Sequence, residues 1–113
     1  MVKNIGMVRG DTLSFGFELY EKSGDSVVPS STVLNEAYFS CKRTKNDTTY
    51  AFQKTFGNGI SRVEGNVYRV RVAPEDTANL SEGKYSYDLQ INPSTDAFTI
   101  LEGILEIRKG VTE

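Results

Sequence analysis

The sequence predicts an all-β chain, two antiparallel sheets stacked as a sandwich of about seven short strands with one short helical turn. Three observations carry this. Apolar residues recur with a period of two along most of the chain, as in Leu13, Phe15, Phe17 and Leu19. Clusters of Gly, Asn, Asp, Ser and Pro separate these runs at fairly even spacing. Only the stretch PEDTANL, 74–80, has the character of a helix start. All 113 residues, 1–113, are expected to form one domain, and a chain of this length buries roughly two-thirds of its unfolded surface. Periodicity alone leaves a small closed barrel as the alternative to a sandwich.

Taken in order, TLSFGFELY sets Leu13, Phe15, Phe17 and Leu19 against Ser14, Gly16 and Glu18, a half-buried strand. The Ser-, Gly-, Asp- and Pro-rich stretch from Glu21 to Glu36 reads as a long connection with a short edge strand at Val27–Val28. AYFSCKR turns Ala37, Phe39 and Cys41 inward, and KNDTT reads as a turn. TTYAFQKTF alternates Tyr50, Phe52 and Lys54 against Thr49, Ala51 and Gln53, which leaves its buried face open. Gly57-Asn58-Gly59 then gives a hairpin signal. NVYRVRVAP sets Tyr68, Val70 and Val72 against Val67, Arg69 and Arg71. In PEDTANL, a proline at the first helical position and Glu75 and Asp76 near the positive end of the dipole suit a single helical turn, with Leu80 tucked against the core. KYSYDLQIN points Tyr85, Tyr87, Leu89 and Ile91 inward, and PSTD is a turn. FTILEGILEIRKG is the last strand, in which Gly103 marks a bulge or a close backbone approach.

Composition narrows the functions. The net charge is -2 with signs mixed along the chain, so no basic block follows phosphates and nucleic acid is not an expected partner. Arg69 and Arg71 lie opposite Tyr68 in the alternation, and pairing with Asp88 or neighbouring acids across strands is their expected use. No apolar run approaches the roughly 20 residues that cross a bilayer, and no apolar stretch near Lys3 marks a signal peptide. Synthesis and folding in a cytoplasm, with no membrane partner, are expected. Cys41 is the single cysteine, so an intramolecular disulfide is impossible and a small buried hydrophobe is its expected role. Histidine is absent, which removes Ser-His-Asp and Cys-His chemistry and the usual zinc sites. Glu75–Asp76 is the only adjacent acidic pair and is read as a dipole complement on a solvated turn. Asp11, Asp25, Asp47 and Asp96 sit in turn contexts that favour local backbone bonding, Asp11 as the cap of the turn into the first strong strand. Arg9-Gly10-Asp11 matches the tripeptide of integrin-binding loops, a match short enough to arise by chance. No catalytic, cofactor-binding or metal-ligating residue is predicted, and no enzyme.

PEDTANLSEGKYSYDLQI gives the sandwich a more specific form. Immunoglobulin-like sandwiches lead into strand F through a helical turn, and a tyrosine two residues before the second cysteine ties back to the backbone. Tyr85 occupies that place, and Tyr87 falls where the cysteine would be. With no disulfide and no tryptophan, Phe15, Phe17, Phe39, Tyr68, Tyr85 and Tyr87 are expected to fill the volume of the missing pin. An aromatic side chain removes roughly 150–250 Å² from water, an upper bound of several kcal/mol at about 25 cal/mol per Å². That compares with about 2–4 kcal/mol for a disulfide.

RGDTLSFGFEL, AYFSCKR, GNGI, YRVRVAPEDTANLSEGKYSYDLQI and TILEGILEIRKGVT together resemble the N-terminal domain of baseplate upper proteins from tailed phages and prophages of Gram-positive bacteria. The markers are Gly10-Asp11-Thr12, Asp76-Thr77, Leu80, Gly83, Tyr85, Tyr87-Asp88-Leu89, Gly103 and Val111-Thr112. The resemblance implies an all-β immunoglobulin-like domain with a structural, non-enzymatic role in a virion, docking on other tail or baseplate proteins, with homo-oligomerisation or partner docking expected. No helical stalk is expected within residues 1–113, and a stalk's docking or trimerising role is not carried over from the family. Exposed strand edges and the Glu21–Glu36 loop are the expected contact surfaces. The alternative is an immunoglobulin-like carbohydrate-binding or adhesion module of a bacterial surface protein. It ranks lower because tryptophan is absent and most tyrosines are read as inward.

Overall fold

Alternating side chains decide which face of each strand enters the core. The computed structural model describes residues 2–29, 34, 36–92 and 98–110. Its strands are β1 (Ile5–Val8), β2 (Leu13–Glu18), β3 (Tyr20–Ser23), β4 (Ser26–Pro29), β5 (Ala37–Lys42), β6 (Phe52–Phe56), β7 (Gly59–Glu64), β8 (Val67–Val72), β9 (Gly83–Ile91) and β10 (Phe98–Arg108), with the helical turn α1 (Pro74–Thr77) before β9. In β5, β8 and β9 every second side chain is buried. The fold is all-β, as the period-two pattern requires.

One hydrogen-bonded ladder joins eight strands in the order β1-β10-β9-β5-β6-β7-β8-β2. β1 and β2 stand at opposite ends of this ladder, yet only the short Arg9–Thr12 turn separates them in sequence. The ladder must therefore fold back on itself. The fold line lies between β6 and β7, giving one layer of β1-β10-β9-β5-β6 and another of β7-β8-β2. Phe15 of β2 meets Phe39 of β5 edge-on across the layers (5.7 Å), and Phe56 of β6 meets Tyr68 of β8 (6.4 Å). Because β1 and β2 do not pair, the sandwich is not a closed barrel.

Not every pairing is antiparallel. β1 runs parallel to β10, and β6 meets β7 in a short parallel register, Thr55↔Gly59 and Phe56↔Ile60. The hairpin expected at Gly57-Asn58-Gly59 is thus corrected: this turn is the corner that carries the chain from one layer to the other. Its hydrogen bonds are local, Asn58 N–H to the Thr55 carbonyl (2.8 Å) and Gly57 N–H to that of Ile60 (2.8 Å). Gly59 sits at φ 103°, and a Cβ there would run into the Lys54 side chain. The hairpin forms one step later, between β7 and β8, around Glu64–Gly65–Asn66. The Glu21–Glu36 connection is likewise more ordered than its composition suggests: β3 and β4 form a two-stranded ribbon with Gly24-Asp25 at its tip. The PSTD turn, the start of the connection's Ser30–Val33 half and the Val111-Thr112 marker lie outside the described residues.

The lead-in to strand F forms as read. Tyr85, buried, donates its hydroxyl to the Ser81 carbonyl (2.7 Å), the backward tie of a tyrosine corner. Tyr87 stacks on Phe39 (5.4 Å) and donates its hydroxyl to the Lys3 carbonyl. Phe39 is fully buried and also contacts Phe15 and Phe52. Phe15, Phe39, Phe52 and Tyr87 thus form one aromatic cluster in the core, in the role expected of the missing disulfide pin. Cys41 is completely buried beside them, and desolvation pushes its thiol up to about 12.

Candidate functional site

Residues expected to meet in the fold often do not. Arg69 and Arg71 lie on β8, beside Gly16 and Ser14 of β2, whereas Asp88 lies on β9 between Ser40 and Glu102 in the other layer. The expected Arg–Asp88 pairing is therefore corrected. Glu75 and Asp76 both lie in the first turn of α1, as expected of a dipole complement, but only Glu75 is solvent-exposed; Asp76 is half-buried. Its carboxylate accepts the Ala73 N–H (2.7 Å), its own N–H donates to the Ala73 carbonyl (3.0 Å), and Lys54 Nζ lies 3.0 Å from Oδ2. Lys54 is buried on β6, which settles the open face of TTYAFQKTF: Phe52 and Lys54 point inward, and Tyr50 is exposed in the preceding loop. The pair ties the strand at the corner to α1. The alternation of TTYAFQKTF set Lys54 on the face of Phe52, but its charge gave no reason to choose that face as the buried one.

Arg9-Gly10-Asp11 serves the fold. Gly10 N–H donates to Thr77 Oγ1 (2.9 Å), and Arg9 Nη1 donates to the Leu80 carbonyl (3.2 Å), so the β1–β2 turn is tied to α1. Asp11 is exposed, and its N–H donates to the Val8 carbonyl. Asp47 does bond locally, accepting from the Thr44 N–H and hydroxyl, while Asp25 is exposed at the ribbon tip and Asp96 lies outside the described residues. Among the described residues, no group of three or more acidic or cysteine side chains converges as a metal site. No described helix is long and apolar enough to cross a membrane.

Two surfaces remain as candidates for recognition. The first is a concave depression of about 510 Å³ on the outer face of the larger layer, lined by Tyr38, Ser40, Gln53, Asp88, Gln90 and Glu102 with Lys42, Lys45 and Tyr50 at its rim. Tyr20, Tyr38 and Tyr50 are not buried, so the expectation that most tyrosines face inward is corrected for these three. Gln53 donates to Ser40 Oγ (2.9 Å), and Lys42 Nζ sits over the Tyr50 ring (5.1 Å). Asp88 faces Glu102 in register. Burial, and then the Glu102 charge, raise its carboxyl above the ordinary range, while Lys42 and Lys45 pull the other way.

The second surface is an opening in the sandwich. In the layer β7-β8-β2, the inward residues Tyr68, Val70 and Val72 of β8 are fully buried, whereas Leu13, Phe15 and Phe17 of β2 are only half-buried. The difference arises because β2 is an edge, with no strand beyond it among the described residues. Between it and Ile5, Leu89, Ile100 and Leu101 of the other layer runs a mostly apolar groove of about 730 Å³. Leu19 N–H donates to the Asn66 carbonyl (3.0 Å), continuing the β2–β8 register by one pair. Alternation of bonded and non-bonded pairs then gives Leu13, Phe15 and Phe17 to β8 and turns the N–H and C=O groups of Ser14, Gly16 and Glu18 outward.

No protein-family model matches this sequence, and no curated protein matches it significantly.

Proposed function

We propose that this chain is a non-enzymatic structural component of a phage or prophage tail or baseplate, made in the host cytoplasm, carried in the virion and acting through protein–protein docking. One observation carries the reading: among the described residues no strand covers β2, whose half-buried apolar side chains line a mostly apolar groove. Soluble domains usually blunt or cover such edges because an unpaired strand recruits others. An assembly component has a use for it. The resemblance to phage baseplate domains supports the same reading. Its markers are largely the residues that knit the sandwich: Gly10 and Thr77 bond each other, Tyr85 forms the corner, and Gly103 receives the N-terminal segment. Mass spectrometry of purified particles from a host carrying this gene tests the proposal. The chain is expected among the tail proteins at fixed stoichiometry, and its absence from particles overturns the reading.

The concave face supports a second reading, a carbohydrate-binding or adhesion module. Tyr38, Gln53, Gln90, Asp88 and Glu102 offer one ring and several hydrogen-bonding groups to a sugar. It ranks second because Lys42 already occupies the Tyr50 ring. Glycan-array binding that Tyr38→Ala abolishes would reverse the ranking.

A further inference from the structure

We infer that the occupant of the open groove is a second copy of this chain, joined by antiparallel pairing of one β2 with the other about a two-fold axis at Gly16. The inference rests on the docking reading above and names its partner.

An extended segment satisfies the whole row of outward N–H and C=O groups at once, so the occupant is expected to add as a strand. The sequence of β2, Leu13-Ser14-Phe15-Gly16-Phe17-Glu18 followed by Leu19, is complementary to itself. With Gly16 opposite Gly16 of the partner copy, Ser14 falls opposite Glu18, and these are the residues whose backbone groups point outward. Every outward donor of one β2 then meets an outward acceptor of the other, all within the bounds of the strand. On the inner face the same register sets Phe15 opposite Phe17 and Leu13 opposite Leu19, so half-buried apolar side chains of the two copies cover each other. On the outer face no like charges meet, because the single charge of the strand, Glu18, lies opposite a serine. Gly16 at the centre has no side chain to hold the backbones apart, a position at which glycine in a strand often marks close backbone approach. An isologous contact of this kind closes on itself and leaves no free β2 edge, which distinguishes it from open-ended fibre formation.

The register supplies its own test, read by sedimentation equilibrium of the full chain. The wild type is expected to dimerise with concentration. Ser14→Glu sets two glutamates opposite each other at both ends of the paired strands. It is expected to weaken dimerisation by roughly tenfold, with far-UV circular dichroism unchanged because Ser14 is exposed. Adding Glu18→Lys to that variant sets lysine opposite glutamate and is expected to restore the dimer. Gly16→Pro removes an outward N–H and no bond to β8, and is expected to dissociate the dimer. A wild type that stays monomeric into the range of hundreds of micromolar, on the order of the weakest useful affinities, overturns the inference, as does a Ser14→Glu variant that dimerises undiminished. Hydrogen exchange separates this failure from that of the docking reading. Protection of the Ser14, Gly16 and Glu18 amides by a tail protein bound to monomeric chain overturns the second copy but leaves the groove as a docking site, whereas a monomer whose β2 amides no tail protein protects overturns both.

Discussion

Tyr87 and Asp76 show how single residues hold this sandwich without sulfur. Tyr87 is 3% exposed, stacks on Phe39 and reaches the Lys3 carbonyl. Truncation to alanine removes the ring from between the strands and leaves a cavity that neighbouring strands cannot collapse to fill. Tyr87→Ala is therefore expected to cost about 3–5 kcal/mol, read as a lowered midpoint in urea. An unmoved midpoint would mean that the ring is not the substitute for the missing disulfide. Asp76 works through charge and geometry. Its carboxylate holds both the Ala73 N–H and the ammonium of Lys54, whose side chain is 11% exposed. Asp76→Ala strands that ammonium and is expected to cost about 3 kcal/mol or more. Lys54→Met leaves the carboxylate its backbone partner and should cost less. Equal losses for the two variants would show that the helical turn does not depend on the aspartate's double contact.

At the scale of elements, Gly103 shows what a strand glycine can be for. The N-terminal residues reach β10 there: Val2 bridges Glu102, Lys3 N–H donates to the Glu102 carbonyl (2.7 Å), and Ile104 N–H donates to Asn4 Oδ1 (3.1 Å). A Cβ at position 103 would strike the Lys3 carbonyl. Gly103→Ala is expected to lift residues 2–4 off β10, costing roughly 1–3 kcal/mol and abolishing protection of the Lys3 and Ile104 amides in hydrogen exchange. Retained protection would place the close approach elsewhere. The close approach was legible in the sequence, because a glycine inside an alternating run has few other uses; the bulge of β10 lies instead between Thr99 and Leu101. The strongly periodic strands β2, β5, β8 and β9 were equally legible. What escaped had weak or misleading local signals. β1 is held by parallel pairing with β10, a contact about a hundred residues away in sequence, which no local pattern encodes. β7 has an exposed, charged run after Ile60, so its alternation is faint. Gly57-Asn58-Gly59 carries the chemistry of a hairpin turn, yet the strands on either side meet in a short parallel register and the chain passes to the opposite layer, a long-range outcome that the local turn chemistry does not encode. Of the two candidate surfaces, the β2 edge follows from the layer order, and layer order is a property of pairings that single-strand patterns do not fix.

For the molecule as a whole, protonation links these local features to stability. Asp88 has a raised carboxyl pKa in the fold, chiefly through burial and then through Glu102. Its neutral form is thus favoured in the native state, so its contribution is fully present below the unfolded-state pKa and is lost as pH rises through the folded value. At neutral pH the concave face therefore carries an unfavourable charge that a ligand or partner could relieve. Asp88→Asn is expected to raise the melting temperature at pH 7 and to leave it unchanged near pH 3, where both states hold the proton. A stabilisation that persists undiminished at pH 3 would assign the effect to packing. At the alkaline end Cys41 dominates, with its thiol moved from 9.0 to about 12 by burial, and Tyr87 shifts upward for the same reason. Below pH 9 both native and unfolded chains keep the Cys41 proton. Above it the unfolded chain releases the proton first, so stability should fall between pH 9 and 12 by up to about 1.4 kcal/mol per pH unit from this group alone. Cys41→Ala removes the ionisation while leaving the surrounding aromatic contacts in place. The variant is expected to start less stable at pH 8, through the small cavity, and to lose stability less steeply from pH 9 to 12. Parallel decline of the two proteins in urea titrations across that range would show that alkaline unfolding begins at the tyrosines and not in the centre of the core.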